Sequence, residues 1–227
     1  MDSNEGADGA PATWCVLVAA GSGTRFGGPK QFAQLGGRSV LEHSVAVALA
    51  ATDGVVVVAH RDALEQTRAL ATGATAVVAG GATRSESSRL GVDAVPEDAT
   101  VILIHDAARP LATADLFQRV IDAVEHGADA AVPVVPLTDT VRDIGGALVD
   151  REQLVAAQTP QGFSAGVLRH AVATGEEATD DAALVAAVGG TVAFVDGDPA
   201  NRKITQPDDL IVAEALLGAR DASGVPR

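Results

Sequence analysis

Glycines and two cations lie together near the start of the chain. Residues 19–30 read Ala-Ala-Gly-Ser-Gly-Thr-Arg-Phe-Gly-Gly-Pro-Lys, so Arg25 and Lys30 share one glycine-rich segment. Glycine lets the backbone approach an anion closely and point its N–H groups at it. Fixed cations beside such a segment suit the charge that develops on a nucleotide triphosphate. The segment therefore predicts a phosphate-binding loop, and the alternative is a surface loop with solvated charges.

Two familiar glycine-rich motifs do not fit this segment. A dinucleotide-binding fingerprint that starts at Gly21 needs glycine at position 26, where the chain has Phe26. A P-loop ends in Gly-Lys-Ser or Gly-Lys-Thr, whereas here Gly28 is followed by Pro29, Lys30 and a glutamine. These differences argue against a nicotinamide dehydrogenase and leave a phosphate-binding loop of another kind.

A second group of charged residues follows an apolar run at 101–104. The sequence there is His-Asp-Ala-Ala-Arg-Pro, which includes Asp106 and Arg109. A carboxylate at the carboxyl end of a buried strand is well placed to hold Mg²⁺, which prefers carboxylate, phosphate and water oxygens. Capping of a turn is the alternative role for Asp106. The spacing also leaves open whether Arg109 pairs with Asp106 or binds phosphate.

Other polar segments also follow apolar runs. Residues 80–88 (Gly-Gly-Ala-Thr-Arg-Ser-Glu-Ser-Ser) could hydrogen bond to a base or simply cap the next helix. Lys203, one of few lysines, lies in the polar segment 201–207. The five histidines show no metal-ligand spacing, and the single cysteine, Cys15, belongs to an apolar run typical of core packing.

Short apolar runs alternate with helical patterns through most of the chain. The runs are mostly continuous, which is typical of strands covered on both faces, as in a parallel sheet. Helix starts are indicated by capping-box patterns at Ser39 and Thr83, by Thr113 and by Pro207. This order predicts an α/β fold with a mostly parallel, doubly wound sheet and helices on both faces. The strand candidates cover residues 14–20, 55–59, 75–79, 101–105, 130–135 and 191–195.

Residues 136–160 interrupt this alternation, and residues 136–157 are predicted to form a hairpin arm. The stretch 137–149 predicts a β-hairpin, with Gly145 and Gly146 at its turn. Such an insertion can be decoration, an oligomerisation arm or a substrate flap. We expect a single domain over residues 13–217, with an acidic flexible tail at 1–12 and another flexible tail at 218–227.

The overall charge narrows the possible partners. The chain has 227 residues and a net charge of −14, which argues against a nucleic-acid polymer as partner because duplex binding usually needs a basic face.

One cysteine excludes an intrachain disulfide and a cysteine-rich zinc site. No apolar run approaches the roughly 20 residues of a membrane span. The start of the chain does not have the pattern of a signal peptide, so a cytoplasmic protein is expected.

The segments together closely resemble the 2-C-methyl-D-erythritol 4-phosphate cytidylyltransferase family over about residues 14–217. Each motif alone is weak, but their order and spacing are highly specific. Ala82 departs from the family pattern, which often has an acidic residue there that helps to hold the nucleoside. The segments that carry the resemblance are 19–25, 28–31, 41–44, 80–81, 105–110, 139–140, 158–161, 179–180 and 203–205.

The resemblance implies a Rossmann-like nucleotidyltransferase fold and a reaction of CTP with methylerythritol phosphate that releases pyrophosphate. It also implies Mg²⁺ as cofactor and a homodimer in which the hairpin arm reaches the partner's active site. Two other functions stay open: transfer to another polyol phosphate, such as ribitol 5-phosphate, and non-catalytic nucleotide binding.

The resemblance further implies roles for individual residues. The catalytic residues would be Arg25, Lys30, Arg151 and Lys203, of which Arg25 and Lys30 stabilise the transition state. Arg151 and Lys203 would position the acceptor phosphate, and Asp106 would bind Mg²⁺. The nucleotide would contact Ala19, Ala20, Gly21, Ser22, Gly23, Gly81 and Ser87. The acceptor would contact Asp106, Arg109, Thr140 and Thr179.

Overall fold

The structure is a computed structural model that describes residues 12–223. Apart from Ala12, the predicted tail at 1–12 lies outside the described residues. The strands are, in chain order, β1 (Thr13–Ala19), β2 (Gln34–Leu35), β3 (Arg38–Ser39), β4 (Gly54–Ala59), β5 (Ala76–Ala79), β6 (Val101–Asp106), β7 (Ala130–Pro136), β8 (Val141–Arg142), β9 (Leu148–Val149), β10 (Val155–Ala157), β11 (Gln161–Ser164) and β12 (Val192–Asp196). The α-helices are α1 (Val40–Ala51), α2 (Leu64–Leu70), α3 (Arg84–Asp93), α4 (Ala114–Glu125), α5 (Ala165–Ala173), α6 (Asp181–Ala187) and α7 (Pro207–Ser223).

One large sheet forms the centre of the fold. Its strand order is β10-β7-β11-β6-β1-β4-β5, and β12 pairs with β7. β6, β1, β4 and β5 run parallel, as does the β7–β12 pair. β11 runs antiparallel between β6 and β7, and β10 is antiparallel to β7. The prediction of a mostly parallel α/β sheet is therefore confirmed.

Helices cover both faces of the sheet because neighbouring strand residues point to opposite sides. Along β1, Cys15 and Leu17 belong to the core cluster that includes side chains of α1 and α4. Val16 belongs instead to the cluster that includes side chains of α3, α5 and α6. With both faces buried, the strands need continuous apolar runs, which is the pattern that the sequence shows.

A third cluster attaches α7 to the rest of the domain. Ala213 and Leu217 of α7 pack with Leu35, Leu111 and Ile204, and Ile204 is almost completely buried. The backbone N–H of Ile204 also donates to the carbonyl of Ala108, 2.8 Å away, just beyond β6. This packing holds the segment that carries Lys203 beside the carboxyl end of β6.

The C-terminal tail prediction is wrong over residues 218–223. α7 continues through Gly218 to Ser223. Arg220 in its last turns donates to the carbonyl of Leu111 at 2.7 Å and pairs with Asp198 at 2.9 Å. These partners lie far away in the sequence, so the local glycine and polar composition did not reveal them. Residues 224–227 are outside the described part.

Two helix starts differ in detail. Ser39 forms the complete capping box: its side chain accepts from the backbone of Glu42, whose carboxylate accepts from the backbone of Ser39. Thr83 caps α3 by accepting from the backbone N–H of Glu86, but the Glu86 carboxylate accepts from Ala82 rather than from Thr83. The predicted capping box at Thr83 is therefore half formed.

The predicted hairpin is present but short. β8 and β9 pair antiparallel, and Gly146 at the turn has a φ of 90°, which glycine adopts without strain. Residues 155–157, at the end of the predicted arm, are not part of the hairpin. They form β10, which joins the central sheet beside β7. β10 and β11 were not among the strand candidates, since they are short and their residues are mixed in character.

Candidate active site

A cavity of about 480 Å³ opens at the carboxyl edge of the parallel strands. Ligands bind at this edge in open α/β sheets because the connecting loops and helix starts meet there. The walls come from the loop after β1, the start of α3, the end of β6 and the segment before α7. Its lining includes Ala19, Ala20, Gly21, Ser22, Lys30, Gln31, His60, Gly81, Ala82, Thr83, Arg84, Ser87, Asp106 and Lys203.

Gly23 gives the loop after β1 its shape. Its φ of 68° lies in the left-handed region, and a Cβ at this position would collide with the carbonyl oxygen of Gly28. The Gly23 carbonyl accepts from the N–H groups of Phe26 (2.9 Å) and Gly28 (3.2 Å). The loop thus folds back on itself and delivers Lys30 to the cavity.

Lys30 is half-buried at the cavity wall. Its ammonium donates to the carbonyl of Ile204 at 2.5 Å, which ties the first loop to the segment before α7. Burial lowers the pKa of Lys30, and the nearby cations Lys203 and Arg25 lower it further, while Asp106 opposes this change. The chain contains two lysines, Lys30 and Lys203, and both line this cavity.

Asp106 is the last residue of β6, and three cations surround its carboxylate. Lys203 approaches to 2.7 Å, Arg84 to 3.8 Å and Arg109 to 3.9 Å. The Asp106 backbone N–H donates to the hydroxyl of Thr159 at 3.0 Å. Burial would raise the pKa of Asp106, but Lys203, Arg84 and Arg109 together lower the pKa to about 2. Asp106 is therefore a charged carboxylate held in a buried position.

Arg84 also lines the cavity and was not singled out from the sequence. It is the first residue of α3, directly after the cap Thr83. Its guanidinium donates to Asp181 at 2.7 Å, and Asp181 is almost fully buried in the first turn of α6. The signal available in the sequence was an arginine at the start of a helix that follows a strand, where parallel-sheet sites form.

Arg109 pairs with Asp106, which is one of the two alternatives that its spacing left open. Its guanidinium donates to the carbonyls of Asn201 (2.9 Å) and Ala157 (3.4 Å), and the residue does not line the cavity. Arg109 therefore contacts Asp106 from outside the cavity and helps to keep its carboxylate charged.

Some sequence-predicted residues do not line the cavity: Gly23, Arg25, Thr140, Arg151 and Thr179. Arg25 is exposed in the loop and makes no hydrogen bond or ion pair with residues 12–223. Its charge is near enough to lower the pKa of Lys30. Thr140 and Arg151 are exposed on either side of the hairpin, and Arg151 donates to the carbonyl of Thr138. Thr179 is exposed between α5 and α6.

Gly81 and Ser87 line the cavity on the side of the loop after β5 and the start of α3. The Ser87 hydroxyl accepts from the N–H of Gly81 at 3.1 Å and donates to the carbonyl of Thr83 at 2.8 Å. The Glu86 carboxylate accepts from the Ala82 N–H at 2.7 Å and borders a second depression of about 410 Å³. These bonds order the loop after β5, which leaves small uncharged groups where a nucleoside could lie.

The donor set allows a magnesium ion with few protein ligands. Of the residues that line the larger cavity, Asp106 is the one carboxylate, and residues 12–223 contain no cluster of three His, Cys, Asp or Glu suited to a metal. Mg²⁺ is commonly held by one or two carboxylates together with substrate phosphates and water. Asp106 fits that pattern as a single ligand, because one of its oxygens faces Arg84 at a distance longer than a hydrogen bond.

A mostly parallel sheet with a glycine-rich loop, two lysines and a charged aspartate at its carboxyl edge defines a nucleotide-binding α/β protein of the nucleotidyltransferase type. Comparison with known proteins agrees with this class. A family model for 2-C-methyl-D-erythritol 4-phosphate cytidylyltransferase matches residues 13–219. The chain belongs to this family.

Individual relatives and solved structures support the same assignment. The chain is 43% identical to the 2-C-methyl-D-erythritol 4-phosphate cytidylyltransferase of Rhodococcus jostii, with 93% of this chain and 97% of that protein covered. It is 42% identical to the enzyme of the same name from Rubrobacter xylanophilus, over 92% of this chain and 96% of the other. The crystal structure of the Thermus thermophilus enzyme superposes with a TM-score of 0.76 at 38% identity, and covers 89% and 97% of the two chains.

No helix in the part of the chain that the structure describes is long and apolar enough to cross a membrane.

Proposed function

We propose that this protein transfers the cytidylyl group of CTP to 2-C-methyl-D-erythritol 4-phosphate and releases pyrophosphate, a step of the non-mevalonate isoprenoid route. The observation that carries the proposal is the cavity itself: Lys30, Lys203 and Arg84 line it beside a glycine-rich loop, together with one charged aspartate, Asp106. Two anionic substrates need such a set of cations. The family membership supports the identity of both substrates.

The chemistry requires little proton transfer. An oxygen of the acceptor phosphate attacks the α-phosphorus of CTP, a new P–O bond forms, and the bond to the bridging oxygen of pyrophosphate breaks. The acceptor phosphate is already a nucleophile, and the leaving pyrophosphate takes the electron pair as an anion. Catalysis therefore consists of holding two anions in line and offsetting the charge that moves onto the leaving group.

The local geometry suggests how these tasks are divided. Lys30 and Arg25 belong to the glycine-rich loop and would offset charge on the triphosphate. Lys203 would hold the acceptor phosphate, and the Lys30 bond to the Ile204 carbonyl supports a fixed spacing between the two lysines. The nucleoside would lie against Gly81 and the segment 19–23, with Thr179 at the acceptor side.

Mg²⁺ is the proposed cofactor, with Asp106 as its protein ligand and triphosphate oxygens and water as the others. When bound, the ion would offset negative charge on the triphosphate. Because the cavity walls offer one carboxylate, the affinity of the protein for Mg²⁺ without nucleotide should be weak.

We also propose a homodimer formed through the hairpin arm, with Thr140 and Arg151 acting in the partner's site. Ile144 at the hairpin turn is fully exposed and Leu148 is 67% exposed, so the arm presents apolar side chains that a second copy would cover. Both predicted acceptor contacts on the arm are exposed and lie outside the cavity of their own chain.

CTP as substrate agrees with a protein that works in the cytoplasm.

Mixed dimers test the exchange of arms. Arg151→Ala and Lys30→Ala should each be inactive as homodimers, and mixing them should restore part of the activity through hybrid dimers with one intact site. Absence of recovery, with subunit exchange demonstrated by differently tagged chains, would mean that Arg151 acts within its own chain.

Pyrophosphate release tests the function directly. CTP, Mg²⁺ and either 2-C-methyl-D-erythritol 4-phosphate or ribitol 5-phosphate are supplied in parallel to the same protein. Release with the first acceptor is the expected result. Release with ribitol 5-phosphate alone would keep the reaction type and change the substrate, and no release from folded protein that binds CTP would contradict the proposed enzyme.

A further inference from the structure

Asp106 and Lys203 present a conflict if Lys203 binds the acceptor phosphate, as the proposed function requires. The two side chains are 2.7 Å apart in the structure, so Lys203 is already paired. Asp106 is 8% exposed, and a buried carboxylate that loses its closest counter-ion is destabilised. Lys203 can therefore leave Asp106 only if another cation keeps that charge paired. The proposed Mg²⁺ would do so once it is bound, and a side chain must do so in its absence.

Arg84 meets this requirement by its position. One end of its guanidinium lies 3.8 Å from Asp106, and the other end is bonded to Asp181 at 2.7 Å. The Asp181 side chain is 1% exposed and is held in the first turn of α6, so Arg84 is anchored from behind. The Lys203 side chain, by contrast, is 40% exposed and belongs to a segment without regular secondary structure.

Arg109 also faces Asp106 but does not reach the cavity. Its Nε lies 3.9 Å from the carboxylate, about as far as Arg84, and two backbone carbonyls accept from its terminal nitrogens. It lies outside the cavity lining, whereas Arg84 is part of it. Arg84 is thus the cation that both faces Asp106 from the cavity and is fixed by a second carboxylate.

We propose that Arg84, anchored by Asp181, is the permanent counter-ion of Asp106 and thereby frees Lys203 to exchange Asp106 for the acceptor phosphate. Arg84 is a positioning residue in this scheme, since it acts through Asp106 and Lys203. Without it, Lys203 remains the close partner of Asp106 and is less available to the phosphate. The loss should fall on acceptor binding, because Lys30 and the loop that would hold CTP are unchanged.

A kinetic double-mutant cycle tests whether Arg84 acts on acceptor binding through Asp106. Arg84→Gln should raise the KM for methylerythritol phosphate about tenfold and change the KM for CTP less than about twofold. In an Asp106→Asn background, assayed at the higher Mg²⁺ concentration that this variant needs, the same substitution should change the acceptor KM less than about twofold, because the neutral side chain no longer holds Lys203. An equal effect in both backgrounds would overturn the proposal and show that Arg84 binds phosphate directly.

Two further variants separate this role from a structural one. Arg84→Gln leaves Asp181 buried and unpaired, so the double variant Arg84→Gln/Asp181→Asn, in which both partners are neutral, replaces it if the single variant unfolds. Arg89→Gln is the matched control, because Arg89 is on the same helix and pairs with Asp93 on the surface. A rise in both KM values for the double variant, with no preference for the acceptor, would contradict the proposal.

Lysine signals give a readout that does not depend on turnover. Because Lys30 and Lys203 are the two lysines of the chain, protein labelled with ¹³C-lysine gives two Cε signals that single lysine variants assign. Inorganic phosphate should shift the Lys203 signal in the wild type at a concentration about tenfold lower than in Arg84→Gln. Equal titrations would overturn the proposal, even if the protein used a different acceptor, whereas absent turnover in the wild type would contradict the proposed function alone.

Discussion

Acid should unfold this protein at a higher pH than its carboxylates alone would predict, because His105 is buried in its neutral form. This residue precedes Asp106 in β6 and is completely buried: its Nδ1 is 3.0 Å from the Thr159 hydroxyl and its ring packs edge-on against Phe117 at 5.2 Å. Its Nε2 has no hydrogen-bond partner among the described residues. Burial lowers the pKa of His105 from its ordinary 6.5 to about 4. The folded protein therefore keeps His105 neutral where the unfolded chain binds a proton.

The sign and size of the effect follow from this difference. Between pH 6.5 and 4 the unfolded state binds more protons, so the free energy of unfolding falls as the pH falls. At pH 4.5 the loss relative to pH 7 is about 2 to 3 kcal/mol for this one group. Asp106, with a pKa of about 2, loses its stabilising contribution mainly below pH 4, where its carboxylate begins to be protonated in the unfolded and then in the folded state. The two groups therefore act in separate pH ranges.

Urea unfolding at pH 7 and pH 4.5 measures the effect. His105→Gln removes the titrating group while its amide can still reach Thr159, so its loss of stability over this range should be about 2 to 3 kcal/mol smaller than that of the wild type. His170→Gln, at an exposed position on α5, is the control and should behave as the wild type. If His105→Gln loses as much stability as the wild type between the two pH values, the reasoning about buried His105 is wrong.

Three other substitutions test the site. Lys30→Ala should lower kcat by about a hundredfold or more because it removes a cation at the triphosphate, and near-normal kcat with unchanged folding would contradict that role. Asp106→Asn should raise the Mg²⁺ concentration needed for half-maximal activity, and an unchanged Mg²⁺ titration would mean that the ion has other ligands. Gly23→Ala should raise the KM for CTP roughly five- to a hundredfold, since alanine at a φ of 68° is strained and its Cβ would meet the Gly28 carbonyl. Gly28→Ala, where a Cβ has free space, is the matched control, and equal effects of the two would show that loop shape is not the cause.

Local patterns were sufficient for the elements that form the sheet. The continuous apolar runs that became β1, β4 and β6 predicted buried parallel strands, because a strand covered on both faces has no room for alternation. The cap at Ser39 was visible because both of its hydrogen bonds join residues three positions apart. The sequence predicted a complete box at Thr83, but the Glu86 carboxylate accepts from the N–H of Ala82 instead of that of Thr83. The spacing of the two residues does not show which neighbouring N–H will be the donor.

Other features depended on contacts that no local pattern contains. Arg84 and Asp181 are 97 positions apart, and Thr159 is 53 positions from the backbone N–H of Asp106 that it supports. Arg109 was an open choice between pairing and phosphate binding until its distance to Asp106 was known. The last turns of α7 were mistaken for a tail, because their partners come from other parts of the chain.

The sequence by itself determined which residues could carry the chemistry: a glycine-rich loop with Lys30, an aspartate at the end of a buried strand, and a late Lys203. Residue type and short-range spacing suffice for this, since glycine conformation and strand burial are local properties. The tertiary structure decided how these charges are paired. The buried carboxylate of Asp106 has its pKa set by cations from three separate elements, and Arg84 becomes one of them only when α3, α6 and β6 meet at the same edge of the sheet. Electrostatic interactions depend on distance through space, which the order of residues along the chain does not specify.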